Sequence, residues 1–506
     1  MIHKFLRVLA TGIAEDTGKI MRKAYKNLTE IPSDDQWKED LHQVFLTENN
    51  IQTIPNGTCP KCTQLSMLLL NCNVKLNHIT DEFFNNMPAL KILDLSETAI
   101  QPKSMSNLKC LIALLLSGCT ELRYIPSLET LKRLISLDLS FTAITKAPVG
   151  LESLVNLRCL NLLKIDKLVI PPSLISKLIN LECLELGRAQ CLRDALVQSA
   201  QSLEKLEVIR AHFPNISVFN AFVRFMAENR VIRSYQLTLY HEIYDDDDEE
   251  EEEKIDRIYS MKMIILEGTN FKNREAVLLP RDIKKLFIIA CFLGIGGRSL
   301  CNILSYVHNN NPHQIELLDI KLCEEAGYLC CCSCPFCSSS QLVGRLDLLE
   351  MNNVKDLVSP YADSLDQSAL FSHLIHLTVT SCSSMKTLIA FKLLALLQNL
   401  RTICVYSCKK MKEIVGEDHS VMELTASGDL MARPHPSITL PNLTSLKLDK
   451  MPQLDVVYKG IMLCPSLQTF DASLCEKLNP PQIAISNNGS VLSMQKIPLG
   501  GYYWRK

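Results

Sequence analysis

Five leucine triplets of the form Leu-x-x-Leu-x-Leu recur in this 506-residue chain and predict an α/β solenoid built from leucine-rich repeats. Their first residues lie 21 to 24 positions apart, the length of one such repeat: Leu90, Leu111, Leu134, Leu157 and Leu181. The last two leucines of each triplet are two residues apart, so they share one face of a short strand. We therefore expect a horseshoe with a parallel sheet on its concave face, and irregular loops and short helices on its convex face.

The N-terminal segment precedes these repeats. Apolar residues recur at helical spacing from Ile2 to Ile13, so we predict that residues 1–26 are helical and that a polar connector follows. Residues 1–40 are interpreted as the helical end of another domain. From Leu41 onward, regular repeats with a helical insert are predicted to fill residues 41–235.

A run of nine carboxylates from Asp245 to Glu253 interrupts the pattern. Adjacent like charges repel each other, so residues 236–260 are predicted to form a disordered acidic loop. Irregular repeats follow over residues 261–480, and residues 481–506 are predicted to form a C-terminal cap and tail. Many of these later strands end at a cysteine, as at Cys291, Cys323, Cys382, Cys408 and Cys475.

The composition narrows the class of protein. A hydrophobic fraction of 47% and a charged fraction of 21% are typical of a folded soluble chain. The net charge of −2 includes the acidic run, so the rest is only mildly basic and does not indicate nucleic-acid binding. No apolar run reaches the roughly 18–20 residues that span a bilayer. The 21 cysteines, with no recognisable signal peptide, fit a reducing compartment, so we expect a cytoplasmic location without a membrane span.

Two cysteine clusters raise the question of a metal or redox site. Cys334 and Cys337 have zinc-like spacing beside Cys330, Cys331 and Cys332, but no second pair lies at a suitable distance. Cys59-x-x-Cys62 stands alone before a predicted strand, which is not the thioredoxin context. No phosphate-binding glycine motif or catalytic triad motif occurs. We therefore predict that the chain is not an enzyme and has no catalytic, cofactor-binding or metal-binding residues.

The candidate binding surface is the outward face of the strands, between the ladder leucines. Its mixture of charged, aromatic and amide groups suits a protein partner. The candidate partner-binding residues are Lys91, Asp94, Glu97, Asp138, Phe141, Arg158, Asn161, Glu182, Glu185, Arg188, His376, Arg401, Tyr406, Lys447 and Asp449.

Three segments resemble plant intracellular disease resistance proteins of the coiled-coil nucleotide-binding leucine-rich-repeat (NBS-LRR) class. Ile2-His3-Lys4 and the helix after it are similar to the motif that closes the nucleotide-binding domain of that family. The segment from Phe83 to Ser96 resembles its early repeats, and the segment from Leu440 to Leu467 resembles its closing repeats. In the family, the repeats sense a pathogen effector or a host protein that the effector alters, and they hold the nucleotide switch inactive.

The resemblance has two departures. Lys4 stands where the family motif has aspartate, and the sequence has no phosphate-binding loop. His3 matches the nucleotide-contacting histidine of the motif, but without that domain it is not expected to bind a nucleotide.

The hypothesis is therefore a recognition module in plant defence, with autoinhibition where it is joined to a nucleotide-binding switch and no nucleic acid among its partners. Two alternatives stay open, a substrate adaptor of a ubiquitin ligase and a stand-alone decoy or scaffold.

Overall fold

The structure is a computed structural model. It describes residues 19–101, 107–165, 167–187, 202–228, 231–240, 262–271, 276–291, 304–306, 315–323, 328–330, 343–358, 371–416, 435–486, 491–497 and 500–506. These residues divide into two compact units, one up to Leu237 and the other from Thr238 onward. His3, Lys4, Arg188, the acidic run and Cys331 to Cys337 lie outside the described residues.

The first unit consists mainly of short strands. They are β1 (Lys19–Arg22), β2 (Leu41–Phe45), β3 (Thr53–Ile54), β4 (Met67–Leu69), β5 (His78–Ile79), β6 (Ile92–Asp94), β7 (Ala113–Leu115), β8 (Ser136–Asp138), β9 (Cys159–Leu162), β10 (Cys183–Leu186) and β11 (Val208–Phe213). Its helices are α1 (Pro172–Ile175) and α2 (Ile216–Glu228), with 3-10 turns at Asp34–Gln36, Asp81–Phe84 and Leu151–Ser153. A further strand, β12 (Ser234–Tyr240), contains the boundary between the units.

The main sheet of the first unit is parallel throughout. Strands β1, β2, β4, β6, β7, β8, β9, β10 and β11 pair in that order. The ladder leucines stack in register, with Leu93 beside Leu114, Leu137 and Leu160. All are buried. Each buried leucine contributes about 1.5–3 kcal/mol. This confirms the predicted repeat ladder.

Several sheet strands are followed by a residue whose backbone lies in the left-handed region of φ and ψ. Together these residues form the left-handed row. In the first unit, φ is +53° to +59° at Glu48, Cys72, Glu97, Phe141 and Lys164, and +72° at Gly118. Their N–H groups reach across to the next repeat, as from Glu97 to the Ser117 carbonyl at 2.7 Å and from Phe141 to the Leu163 carbonyl at 2.9 Å. These hydrogen bonds offset the roughly 1–2 kcal/mol that a non-glycine residue loses in this conformation.

The second unit contains the remaining strands. They are β13 (Met263–Glu267), β14 (Val277–Leu279), β15 (Lys285–Ile289), β16 (Leu304–Tyr306), β17 (Ile315–Lys321), β18 (Tyr328–Cys330), β19 (Val343–Leu349), β20 (Asp356–Val358), β21 (His376–Thr380), β22 (Thr387–Ile389), β23 (Thr402–Tyr406), β24 (Glu413–Val415), β25 (Ile438–Thr439), β26 (Ser445–Asp449), β27 (Met462–Leu463), β28 (Thr469–Ser473), β29 (Ile483–Ala484), β30 (Gln495–Lys496) and β31 (Gly501–Arg505). One 3-10 turn is formed by Phe391–Leu393.

The main sheet of the second unit is also parallel until its last strands. Strands β13, β15, β17, β19, β21, β23, β26 and β28 pair in order. The C-terminal strand β31 then pairs antiparallel with β28, and β30 pairs with β31. Residues predicted to form a C-terminal cap and tail thus supply two strands, and β31 covers the edge of β28.

The segments that return from one sheet strand to the next carry few helices. Among the described residues, α2 is the one α-helix longer than a single turn. Short parallel strand sets occur in the return segments instead, for example β22 with β24, and β25 with β27 and β29. The expectation of a helix up to residue 26 is wrong at its end, because Lys19–Arg22 pair with β2 and Met21 is buried in the sheet core.

Candidate recognition surface

The sheet face of the first unit brings several predicted residues into columns. Strand alternation turns the residues between ladder leucines away from the core. Asp94, Leu115, Asp138, Asn161 and Glu185 occupy matching positions on β6 to β10 and form one column. The structure thus brings four candidates onto one line across the sheet.

Hydrogen bonds hold the polar members of this column. The Asp94 carboxylate accepts from the Ser96 N–H at 3.0 Å. The Asp138 carboxylate accepts from the Ser140 hydroxyl at 2.7 Å and from the Asn161 amide at 3.1 Å. These contacts fix the carboxylates in place on the face.

A second row runs along the start of the strands. The N–H of Arg158 binds the carbonyl of Ile135, and the N–H of Glu182 binds that of Arg158, so their side chains are neighbours. Arg158 Nη1 lies 3.5 Å from Glu182 Oε1. Because both side chains are partly exposed, this ion pair adds at most about 1 kcal/mol. Lys91 is exposed in the same row.

Glu97 and Phe141 lie in the left-handed row, at the rim of the sheet face. Both are exposed, and Phe141 as a residue is 45% exposed. A large exposed aromatic side chain on a rigid turn is a good anchor for a partner. The outward position of Phe141 follows from its turn, which the strand pattern did not predict.

The charge on the Asp94 carboxyl is disfavoured. Burial raises the pKa of Asp94 above its ordinary value of 3.8, and the nearby carboxylates of Asp138 and Glu97 add to this. Hydrogen bonds from Ser96 oppose the shift. Because the carboxylates of Asp138 and Glu97 lie close enough to act on Asp94, these three acidic groups form a region of negative potential on this face.

The second unit also presents an outward sheet face. His376 is exposed beside Arg345 and Thr402, and Arg401 is exposed in the neighbouring row. Lys447 is exposed between Cys404 and Asp471, and Tyr406 and Asp449 are paired in register and half-buried. The structure therefore places all five second-unit candidates on the outward face.

Local charge shifts two of these groups. Burial lowers the pKa of His376, and the nearby Arg345 and Arg401 guanidinium groups lower it further. Burial raises the pKa of Tyr406 to about 12, with contributions from Cys404 and Asp449. At neutral pH, His376 therefore presents mainly a neutral imidazole, and Tyr406 an intact hydroxyl.

Charged residues on the outward side of the second unit's sheet were missed in the prediction from sequence. Asp319 and Asp347 lie side by side on β17 and β19. Lys321 Nζ lies 3.6 Å from Asp319, and Arg345 Nε lies 2.7 Å from Asp347. The signal available in the sequence was their alternation with ladder residues such as Leu318 and Leu346.

Apolar residues on the outward side of the first unit's sheet were also missed. Phe45, Met67, Leu69, Ile92 and Leu115 face away from the ladder leucines, as the strand register requires. Since ladder and face residues are all apolar in β4, composition alone does not separate them.

Cysteines that follow the sheet strands, such as Cys119 and Cys291, have a structural role. The Cys119 thiol donates to the Leu95 carbonyl at 3.1 Å, and the Cys291 thiol donates to the Leu266 carbonyl at 3.3 Å. Cys59 and Cys62 contact different partners, the carbonyls of Glu82 and Lys38. Within the described ranges, no group of three or more His, Cys, Asp or Glu side chains is arranged to hold a metal ion.

The helices of the described part of the chain are short. None of them is long and apolar enough to cross a bilayer.

Family models match two parts of the chain. Residues 344–481 match the leucine-rich repeats of plant disease resistance proteins of the RPS2-like type. Residues 63–120 match the general leucine-rich-repeat model. The two matches fall on repeats of the second and first unit respectively, and they confirm the predicted fold class.

Relatives from Arabidopsis thaliana share parts of the sequence. The probable disease resistance protein At1g15890 is 36% identical over 215 residues, which is 40% of this chain and 24% of that protein. The disease resistance protein At4g27190 is 37% identical over 194 residues, 35% of this chain and 20% of that protein. The disease resistance protein RFL1 is 34% identical over 192 residues, 37% of this chain and 21% of that protein. The chain spans less than a quarter of the length of these relatives in each alignment.

Proposed function

We propose that this chain, which carries a leucine-rich-repeat region of the plant NBS-LRR disease resistance type, is a recognition module that binds a protein partner through its sheet faces. The observation that carries the proposal is the row of exposed charged and aromatic side chains on rigid, hydrogen-bonded strands. Side chains that are held in place before binding lose little entropy when a partner docks.

The partner is proposed to be a pathogen effector or a host protein that an effector alters, met in the cytoplasm. Where a nucleotide-binding domain is joined to the repeats, the same module is proposed to restrain it. We propose binding without catalysis as the activity. The relatives described above are disease resistance proteins and not ubiquitin-ligase adaptors, so the adaptor alternative gains no support.

Charge reversal on the sheet faces tests this function. The full chain is expressed with an affinity tag in leaf tissue, with and without pathogen challenge, and its bound proteins are quantified by mass spectrometry. Arg158→Glu and Arg401→Glu are compared with Lys177→Glu and Lys392→Glu, whose exposed lysines lie in the return segments.

The proposal expects at least one protein that wild type and both return-segment variants retain but a sheet-face variant loses. Identical sets of bound proteins for all five chains would overturn it. Equal thermal unfolding midpoints of the variants would show that the loss of binding is not a loss of folding.

A further inference from the structure

An apolar patch lies on the sheet face of the first unit, opposite the leucine core. At its centre Met67, Ile92 and Ala113 are paired in register on β4, β6 and β7 and are 9%, 5% and 0% exposed. Phe45 and Leu69 pack against this centre and remain half-buried. The half-buried members of the patch, Phe45 and Leu69, keep apolar surface accessible on the outward face of the sheet, where a partner can contact it.

Carboxylates border this patch on one side. Leu69, Asp94, Leu115 and Asp138 follow one another across β4, β6, β7 and β8 in a single column. Adjacent strands are about 4.8 Å apart, so the two aspartates lie on the order of 10 Å apart on either side of Leu115. Glu97 adds a third carboxylate at the rim, and like charge couples it to Asp94.

The charge of these carboxylates is not balanced by a neighbouring cation in the described part of the first unit. There, none of Asp94, Glu97 and Asp138 forms an ion pair with lysine or arginine. Asp94 and Asp138 do accept hydrogen bonds from Ser96 and Ser140, which orient them but leave their charge uncompensated. A cation placed between them would relieve their mutual repulsion.

We propose that the patch binds a cationic protein segment, which packs a bulky apolar side chain against Leu69 and Leu115 and places a lysine or arginine between Asp94 and Asp138. The proposal rests on the function proposed above and names the chemistry of one partner surface. Apolar burial would supply most of the affinity, and the carboxylates would select the sign of charge. Phosphate-rich partners such as nucleic acid or an anionic membrane are disfavoured, because three carboxylates border the patch.

Peptide selection on the full chain tests the proposal. A display library of random 12-residue peptides is selected against the immobilised protein, and enriched peptides are resynthesised. Their dissociation constants are then measured for wild type, for Leu69→Ser, for Leu115→Ser and for the double variant Asp94→Asn/Asp138→Asn. Glu152→Gln, in an exposed 3-10 turn away from the sheet, is the matched control.

The expected peptides place lysine or arginine within three residues of a bulky apolar residue. They should lose about tenfold in affinity on the double asparagine variant, with a similar loss on each serine variant and none on the control. Added salt should weaken binding to wild type more than binding to the double variant.

The inference is overturned by no enrichment, by enriched acidic or uncharged peptides, or by binding that is insensitive to the patch variants. Self-association of the wild-type chain that Leu115→Ser abolishes would assign the patch to a second copy and would also overturn it. Peptides that respond to Arg401→Glu instead would leave the proposed recognition function standing while removing this patch from it.

Discussion

The Thr98 hydroxyl and the Cys119 thiol donate to the same backbone carbonyl, that of Leu95, at 2.7 and 3.1 Å. Asn49 and Asn73 share the Leu46 carbonyl in the same way, each at 2.9 Å. The residue after each left-handed turn therefore satisfies a buried carbonyl at the end of the strand. Threonine, cysteine and asparagine all perform this role because each carries a short donor.

Removing the donor at position 119 is expected to destabilise the first unit. Cys119→Ala leaves the carbonyl with one donor fewer and should cost about 1 kcal/mol, measured as a lower midpoint of urea unfolding. Cys119→Thr retains a donor of similar size and should stay close to wild type. Equal midpoints for both variants would show that the hydrogen bond contributes nothing.

The left-handed row continues in the second unit, where a substitution to glycine is expected to change stability. Ser381 has φ +55° and its N–H binds the Tyr406 carbonyl at 2.9 Å. Ser381→Gly should raise the unfolding midpoint of the second unit, by about 1 kcal/mol in free energy, because glycine adopts this φ without steric cost. Ser381→Val should lower the midpoint, since a branched side chain fits this conformation poorly. An opposite order of the two variants would contradict this account of the row.

The C-terminal cap depends on one glycine. Gly501 has φ +123°, and a Cβ atom there would lie 1.6 Å from the Ala472 carbonyl oxygen. Gly501→Ala is expected to separate β31 from β28 and to cost at least about 2 kcal/mol. Gly57→Ala is the control for backbone strain alone, because Gly57 has φ +85° and an added methyl group would meet no atom within 4 Å beyond its chain neighbours. Similar losses for both variants, measured by thermal unfolding, would argue against a structural role for the cap.

Asp94 makes stability depend on pH. Its raised folded pKa means that the folded chain holds the proton more tightly than the unfolded chain. The contribution of Asp94 to the free energy of unfolding is fully present below the pKa of the unfolded chain. It is lost as the pH rises through the higher pKa of the folded chain. Asp94→Asn should therefore raise the urea midpoint at pH 7 and have a smaller effect near pH 4. A larger effect at the lower pH would contradict the sign of the shift.

The fold could be predicted from the sequence where side-chain pattern and backbone geometry coincide. Leucines such as Leu93 and Leu114 are spaced by the strand, so their period reports the sheet directly. The left-handed turn at Phe141 could not be predicted, because its conformation depends on a hydrogen bond to Leu163 in the next repeat. Strands of two or three residues, such as Thr387–Ile389, likewise depend on pairing between repeats and have no pattern of their own.

The candidate surface could be predicted only in part. Polar residues between leucines, such as Asp138 and Lys447, can be assigned to the outward face because their chemistry differs from that of the ladder. Met67 and Ile92 share the chemistry of the ladder, so only their register in the sheet assigns them to the opposite face. The placement of an apolar patch therefore required the structure.

Cross-linking mass spectrometry on a captured partner complex tests the central claim most directly. Lys91 and Lys447 lie exposed on the sheet faces, whereas Lys177 and Lys392 lie exposed in the return segments. The account predicts intermolecular cross-links from Lys91 or Lys447, with few from the other pair. Cross-links that come mainly from Lys177 and Lys392 would contradict a recognition surface on the sheet.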